Sequence, residues 1–151
     1  MIGRIGGTTM RKSILIAPVL ALALTGCATS PVDPDLAEVV APKIAASCPK
    51  DVPVSKITVV RDSGYGGSGV DIRVSLDGEE AVRLRTKQKA TMCVDGSQNH
   101  FVGLTAIWNN AVSVPIFAKA NVENIIRTGF DAPGAVTGSL QKIVPLNKQN
   151  Q

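Results

Sequence analysis

A strict alternation of apolar and polar residues near the middle of the chain limits the fold more than any other feature. In residues 70–77 every second residue is apolar, and apolar positions resume after Asp77-Gly78: Val70, Ile72, Val74, Leu76, Val82 and Leu84. Because successive side chains of a strand point to opposite faces, this period of two predicts two strands, each with one buried and one solvent-exposed face. Asp-Gly is typical of the tight turn between antiparallel strands. The sequence therefore predicts a β-hairpin in a half-buried sheet.

Similar segments extend the strand pattern over most of the chain. Alternating or β-branched residues predict further strands at residues 56–61, 90–94, 100–107, 111–119, 124–130 and 136–143. Residues 100–107 are apolar on both faces, so we expect that strand to be covered on both sides. The predicted fold is mainly β, an antiparallel β-sandwich with a short N-terminal helix packed on the sheet. An α+β domain is the alternative.

The helix is predicted at residues 35–47, where the period changes. Apolar residues recur there at helical spacing: Leu36, Val39, Val40 and Ile44. Asp33 is a candidate N-terminal cap, and Pro34 suits the first helical turn. Pro42 interrupts the pattern at a cost of about 3 kcal/mol in a regular helix. We therefore expect one short helix that kinks or ends near Ala41.

The register of the predicted hairpin follows from its apolar positions. A two-residue loop would set the apolar residues of the first strand opposite Arg83 and Arg85 of the second. Since a shift of one residue turns a whole strand over, a shared buried face requires a loop of odd length. A three-residue loop pairs Val74 with Val82, Ile72 with Leu84 and, on the solvent side, Asp71 with Arg85.

The first 27 residues contain the parts of an export signal. Arg11 and Lys12 precede an apolar run of 11 residues at positions 14–24. A membrane-spanning helix needs about 20 apolar residues, and Pro18 interrupts this run. A basic segment, a short apolar segment and small residues at a cleavage point are typical of a secretory signal peptide. Met10 directly precedes this region and is an alternative start.

The signal ends in Leu24-Thr25-Gly26-Cys27, which resembles the lipobox of bacterial lipoproteins. The resemblance implies a diacylglyceryl group on the Cys27 thiol, cleavage before Cys27 and acylation of the new amine, for example by palmitate. Ala28 is not the Asp that retains such proteins in the inner membrane. We therefore expect a lipid anchor in the outer membrane and a domain facing the periplasm.

This interpretation divides the chain into four parts. Residues 1–26 form the signal peptide, and residues 27–34 form the lipidated Cys and a tether that its prolines extend. Residues 35–146 form a single β-rich domain, and residues 147–151 form a polar tail. Cleavage also changes the charge, because three of the 16 Lys and Arg precede Cys27 whereas all 12 Asp and Glu follow it. With little excess charge and only five aromatic residues, no nucleic acid partner is expected.

The cysteines agree with export. Once Cys27 is acylated, Cys48 and Cys93 remain, and an even pair in an oxidising compartment predicts a disulfide. The alternative is a pair of reduced, buried thiols that do not meet.

The chain offers little for catalysis or cofactor binding. Residues 64–69 match the G-x-G-x-x-G fingerprint, but a strand follows where dinucleotide binding requires a helix. Gly64 and Gly66 also stand at ligand positions that a calcium loop opened by Asp62 would need. His100 is the only histidine, so two-histidine metal sites are excluded, and we interpret it as a strand-end residue. We expect no catalytic residue, no metal, no cofactor and no enzymatic activity.

Candidate partner contacts are a cationic run and one aromatic residue. Arg83, Arg85, Lys87 and Lys89 form the densest group of positive charge, and strand alternation predicts a stripe on one face. This stripe could meet anionic lipid head groups or an acidic partner. The alternative is a solvated edge strand protected by its charge. Tyr65 lies in the glycine-rich loop. This loop either contacts a partner or is a solvated connector between strands.

Residues 56–104 combine an apolar strand, a glycine-rich loop, the hairpin at residues 70–78 and a basic strand. This order is similar to small β-sandwich domains of uncharacterised bacterial lipoproteins, and the resemblance implies a fold without a defined activity. We expect a non-enzymatic structural or protein-interaction role, with the membrane and another envelope protein as partners. The alternative is a periplasmic binding or inhibitor module similar to lysozyme inhibitors.

Overall fold

The residues that the structure describes form nine strands. The computed structural model describes residues 29–64, 67–106, 111–131 and 134–146, and these ranges contain no helix. The strands are β1 (Glu38–Val39), β2 (Val54–Arg61), β3 (Ile72–Leu76), β4 (Glu79–Leu84), β5 (Gln88–Asp95), β6 (Asn99–Thr105), β7 (Ala111–Phe117), β8 (Val122–Phe130) and β9 (Val136–Pro145).

Two sheets pack face to face, which confirms the predicted β-sandwich. The large sheet has the order β1-β5-β2-β8-β9, and the small sheet has the order β4-β3-β6-β7. All neighbours are antiparallel except the pairs β1–β5 and β2–β8. The inward residues of both sheets form one buried apolar cluster that includes Ile57, Met92 and Ile126 from the large sheet, and Ile72 and Leu104 from the small sheet.

The β3–β4 hairpin has the predicted facing pairs but reaches them differently. Its core pairs are Val74 with Val82 and Ile72 with Leu84. The turn, however, contains only Asp77 and Gly78, because Leu76 pairs directly with Glu79. The prediction of a three-residue loop was therefore wrong. The register shifts between Val74 and Ser75, where a β-bulge in β4 supplies the extra residue that the common buried face requires.

The predicted helix at residues 35–47 does not form. Glu38 and Val39 pair with β5 instead, and the segment then runs between the edges of β5 and β4. Lys43 N donates to Ala81 O at 2.7 Å, and Cys93 N donates to Ala45 O at 2.9 Å. Pro42 prevents this segment from continuing as a helix. Its backbone groups form hydrogen bonds with the two strand edges instead.

The apolar residues of this segment divide between the core and the surface. Val40 and Ile44 pack against the core cluster, whereas Leu36 and Val39 are 83% and 70% exposed. The helical spacing of these four apolar residues therefore does not correspond to a single buried face. The predicted disulfide is present between Cys48 and Cys93, with 4.7 Å between the Cα atoms, and it ties the end of the segment to β5.

Residues 29–34, predicted as a free tether, lie on the outer face of the large sheet; we refer to them as the strap. Arg127 Nη2 donates to Val32 O at 2.7 Å, and Lys89 Nζ donates to Pro34 O at 2.5 Å. Lys89 and Arg127 are the two register partners of Val60. Val60 is fully buried although it is not part of the core cluster, and both of its register partners hold the strap.

The strap defines one end of the sandwich, which we call the strap end. Ser30 and Ser63 exchange backbone hydrogen bonds there, directly after β2. Lys87 N, in the turn between β4 and β5, donates to Arg61 O at 3.2 Å. Because β3 begins and β4 finishes at this end, the loop at 67–71 and the turn at 85–88 belong to it. The turns at 77–78 and 95–98 lie at the opposite end.

Candidate functional site: an arginine-lined cleft

The structure separates the four cations that the sequence predicts as one stripe. Arg83 and Arg85 are exposed at the outer face of the small sheet. The chain then leaves that sheet, Lys87 lies in the turn with a φ of 65°, and Lys89 holds the strap on the large sheet. The predicted continuous stripe was therefore wrong, since two-residue alternation does not persist through a turn between sheets. Cys27 and Tyr65 lie outside the described residues.

Arg73 joins Arg83 and Arg85 in place of the two lysines. It is exposed on β3 and lies directly opposite Arg83. Like charges at facing positions of an antiparallel pair destabilise the sheet. The signal was present in the sequence, because the register that pairs Ile72 with Leu84 also places Arg73 opposite Arg83. Cationic runs along the chain do not reveal such a pair across strands.

Six residues line a cleft of about 450 Å³ beside these arginines: Ser68, Gly69, Asp71, Arg73, Arg83 and Arg85. Three cations therefore face one carboxylate among the lining residues. Arg85 Nε lies 3.3 Å from Asp71 Oδ1, which confirms the predicted ion pair on the solvent side. The cleft lies at the strap end, between the loop at 67–71 and the end of β4.

A second carboxylate beside the cleft is held by two cations. Arg83 Nε lies 3.0 Å from Glu80 Oε1, and Lys43 Nζ lies 3.1 Å from the same atom. The hydrogen bond from Arg83, with that from Lys43, lowers the pKa of Glu80 to about 2. The same contact with Glu80 raises the pKa of Arg83. Among the described residues, none forms an ion pair with Arg73, so this guanidinium is available to an external anion.

A further arginine is buried at the strap end. Arg61 is 2% exposed, and its Nη2 donates to Gly67 O at 2.7 Å. Its guanidinium carbon lies 4.8 Å from the centre of the Phe130 ring, a cation–π contact. Arg61 Nε and Nη1 have no hydrogen-bond partner within the described ranges. Each buried donor left unpaired costs about 1–3 kcal/mol.

The charge of Arg61 extends toward the cleft. Burial lowers the pKa of this guanidinium, and the charge of Asp71 acts in the opposite direction. Asp71 lines the cleft and is therefore shared electrostatically between the buried Arg61 and the exposed Arg85. The cleft accordingly carries more positive charge than Asp71 neutralises.

The described part of the glycine-rich loop packs against the strap end and leads into a strand. Strand β3 follows it, as the sequence predicts. Gly67 has a φ of 71°, and a Cβ atom on it would lie 2.3 Å from the Phe130 ring. Only glycine fits this position without a shift, because both the backbone conformation and the space exclude a side chain.

His100 joins two turns at the opposite end. Its Nδ1 lies 2.7 Å from Asp77 Oδ2, and its Nε2 lies 3.0 Å from Asp95 O. This arrangement fits the predicted strand-end role. Ser97 donates to Asp95, and this hydrogen bond lowers the pKa of that carboxyl group. Within the described ranges no group of three or more His, Cys, Asp or Glu side chains is placed to hold a metal ion.

The chain matches no known protein-family model, no curated protein and no solved structure. In the four ranges that the structure describes, there is no helix long and apolar enough to cross a membrane.

Proposed function

We propose that the chain is the precursor of an outer-membrane lipoprotein whose sandwich faces the periplasm and serves as a non-enzymatic binding module. The signal peptide, residues 1–26, would be removed, and Cys27 would carry the acyl chains. The Leu24-Thr25-Gly26-Cys27 sequence supports the anchor by its resemblance to a lipobox. The arginine-lined cleft supports the binding role.

The observation that carries the binding role is a facing pair of arginines in which Arg73 has no carboxylate partner among the described residues. Arg73 lies directly opposite Arg83, and the ion pairs of the cleft engage Arg83 and Arg85 but leave Arg73 without a carboxylate among the described residues. The repulsion between the two guanidinium groups destabilises the sheet, and an anion that binds between them reduces this repulsion. The partner is therefore an envelope component that presents an acidic group.

A photo-crosslinking residue at Ser68 tests this role in intact cells. Ser68 lines the cleft, so we expect a light-dependent product with an envelope component. Ser113 is exposed on β7, in the same sheet. The photo-crosslinking residue placed at Ser113 is the matched control and should give no product. Equal products at both positions, or none at Ser68, would contradict a partner in the cleft. Inhibition of lysozyme by the protein with no crosslink at Ser68 would favour an inhibitor module.

A further inference from the structure

We infer that the strap holds the sandwich with its arginine-lined cleft against the bilayer, where the cleft binds the phosphate of anionic phospholipid head groups. This inference rests on the proposed anchor at Cys27 and names the partner of the proposed site.

Only Ala28 separates the proposed anchor at Cys27 from Thr29, the first residue of the strap. Thr29 packs closely on the strap end: a Cβ atom on Gly64 would lie 3.0 Å from Thr29 Cγ2, and one on Gly129 would lie 3.3 Å from it. Ser30 is then fixed by its hydrogen bonds to Ser63. Two residues of extended chain span about 7 Å at most. An acylated Cys27 therefore keeps the strap end next to the lipid head groups.

An exposed apolar residue, Leu36, and an exposed cation, Lys87, lie at the strap end. Leu36 is 83% exposed and precedes β1, which runs parallel to β5 and begins beside Gln88. Leu36 therefore lies at the strap end, between the exposed Asp35 and Glu38 and near the exposed Lys87 of the turn. An exposed apolar side chain held close to the lipid head groups can enter the membrane interface. The opposite end, with the turns at 77–78 and 95–98, faces away from the bilayer.

The arginines that line the cleft suit a phosphate ligand. Guanidinium groups match the geometry of phosphate oxygens and form charge-assisted hydrogen bonds with them. Arg73 is available for such a bond, and Arg83 and Arg85 lie beside it with the Ser68 side chain at the rim. The lining residues carry three cations and one carboxylate, so a phosphodiester with its single negative charge can be accommodated. Arg61 adds buried positive charge beneath the same loop.

Covalent footprinting of the lipidated protein in vesicles tests the inference. Vesicles of phosphatidylcholine mixed with phosphatidylglycerol are compared with vesicles of phosphatidylcholine alone and with maltoside micelles that contain inorganic phosphate. Phenylglyoxal reports on Arg73 and an acetylating reagent reports on Lys87, each read by mass spectrometry. Lys119, which follows β7 next to the turn at Gly96, is the internal control at the opposite end.

We expect Arg73 and Lys87 to be protected in phosphatidylglycerol vesicles and Lys119 to be labelled equally in all samples. Arg73→Gln should raise the labelling of Lys87 in these vesicles about fivefold, because one cation near an anionic surface contributes about 1 kcal/mol. Lys119→Gln removes the same charge at the opposite end and should leave Lys87 protected. Both side chains are exposed, and an unchanged unfolding midpoint confirms that each variant folds.

Three results would overturn the inference. Protection of Lys87 without protection of Arg73 would show an oriented domain whose cleft does not bind lipid. Protection of Arg73 by inorganic phosphate in micelles to the same extent as in vesicles would identify a site for a soluble anion. The absence of protection of Lys87, like that of Lys119, in vesicles that retain the protein would refute the orientation. Failure of the protein to stay with vesicles at all would instead refute the proposed anchor.

Discussion

Replacing Cys27 by serine should move chains that lack the signal peptide, residues 1–26, from the washed membrane fraction into the soluble fraction. Each buried methylene group of an acyl chain contributes about 0.8 kcal/mol, and one chain gives only marginal anchoring whereas two or more give stable anchoring. Serine offers no thiol for the diacylglyceryl group, so the Cys27→Ser chain loses this contribution completely. The measurement is the distribution of the protein between fractions after a high-salt wash, which removes proteins bound by charge alone.

The matched control for this variant is the double substitution Cys48→Ser and Cys93→Ser. It removes the other two cysteines of the chain but keeps Cys27, and it should stay in the membrane fraction. Retention after the wash of a Cys27→Ser chain that lacks residues 1–26 would contradict an acyl anchor at this residue. The cleft could then still bind its anion, because its residues do not depend on Cys27.

The same double substitution should lower the free energy of unfolding by about 4 kcal/mol. The disulfide joins residues 45 positions apart, and in the chain-entropy description a closed loop of this size stabilises the fold by about that amount. The bridge also holds in place a segment that contacts the sheet edges through few hydrogen bonds, those of Val40, Lys43 and Ala45. The measurement is denaturant unfolding of the detergent-solubilised, oxidised protein and of the variant.

Cys27→Ser serves as the reciprocal control, because it should leave the unfolding midpoint unchanged when both proteins are in the same detergent. Equal unfolding midpoints of the oxidised protein and the double variant would contradict a stabilising role of the Cys48–Cys93 bridge. A smaller loss would indicate residual structure in the unfolded chain that already restricts the loop.

The hairpin shows how far local pattern determines this fold. Alternation alone identifies the buried pair Val74 and Val82, because a strand that slips by one residue exposes all its apolar side chains. It does not distinguish a longer turn from a bulge, since both supply one extra residue. The structure has the bulge at Ala81, which leaves Asp77 and Gly78 as a two-residue turn. Asp77 adopts a φ of 52° there.

The N-terminal segment shows where local pattern fails. Helical spacing of Leu36, Val39 and Val40 is a property of the segment alone, whereas its actual structure depends on the free edges of β4 and β5. Those edges become neighbours only when the sheets pack. The strap was missed for the same reason, since its carbonyl groups are held by Arg127 and Lys89 from two different strands.

The candidate site was predicted in part. A dense run of cations along the chain identifies Arg83 and Arg85, and the hairpin register identifies the Asp71–Arg85 ion pair. The run does not predict that Lys89 belongs to the other sheet, because the turn at 85–88 lies between. Arg61 was also missed, since a charged residue at the end of an apolar strand gives no sign that it will be buried.

The intact mass of the protein extracted from cell membranes tests the proposed anchor most directly. We expect the mass of a chain that begins at Cys27 and carries a diacylglyceryl group on the thiol and an acyl chain on the amine, with Cys48 and Cys93 oxidised. Fragmentation should place all the added lipid on the first residue. A chain that retains residues preceding Cys27, or one that begins there with a free thiol, would contradict the lipoprotein assignment.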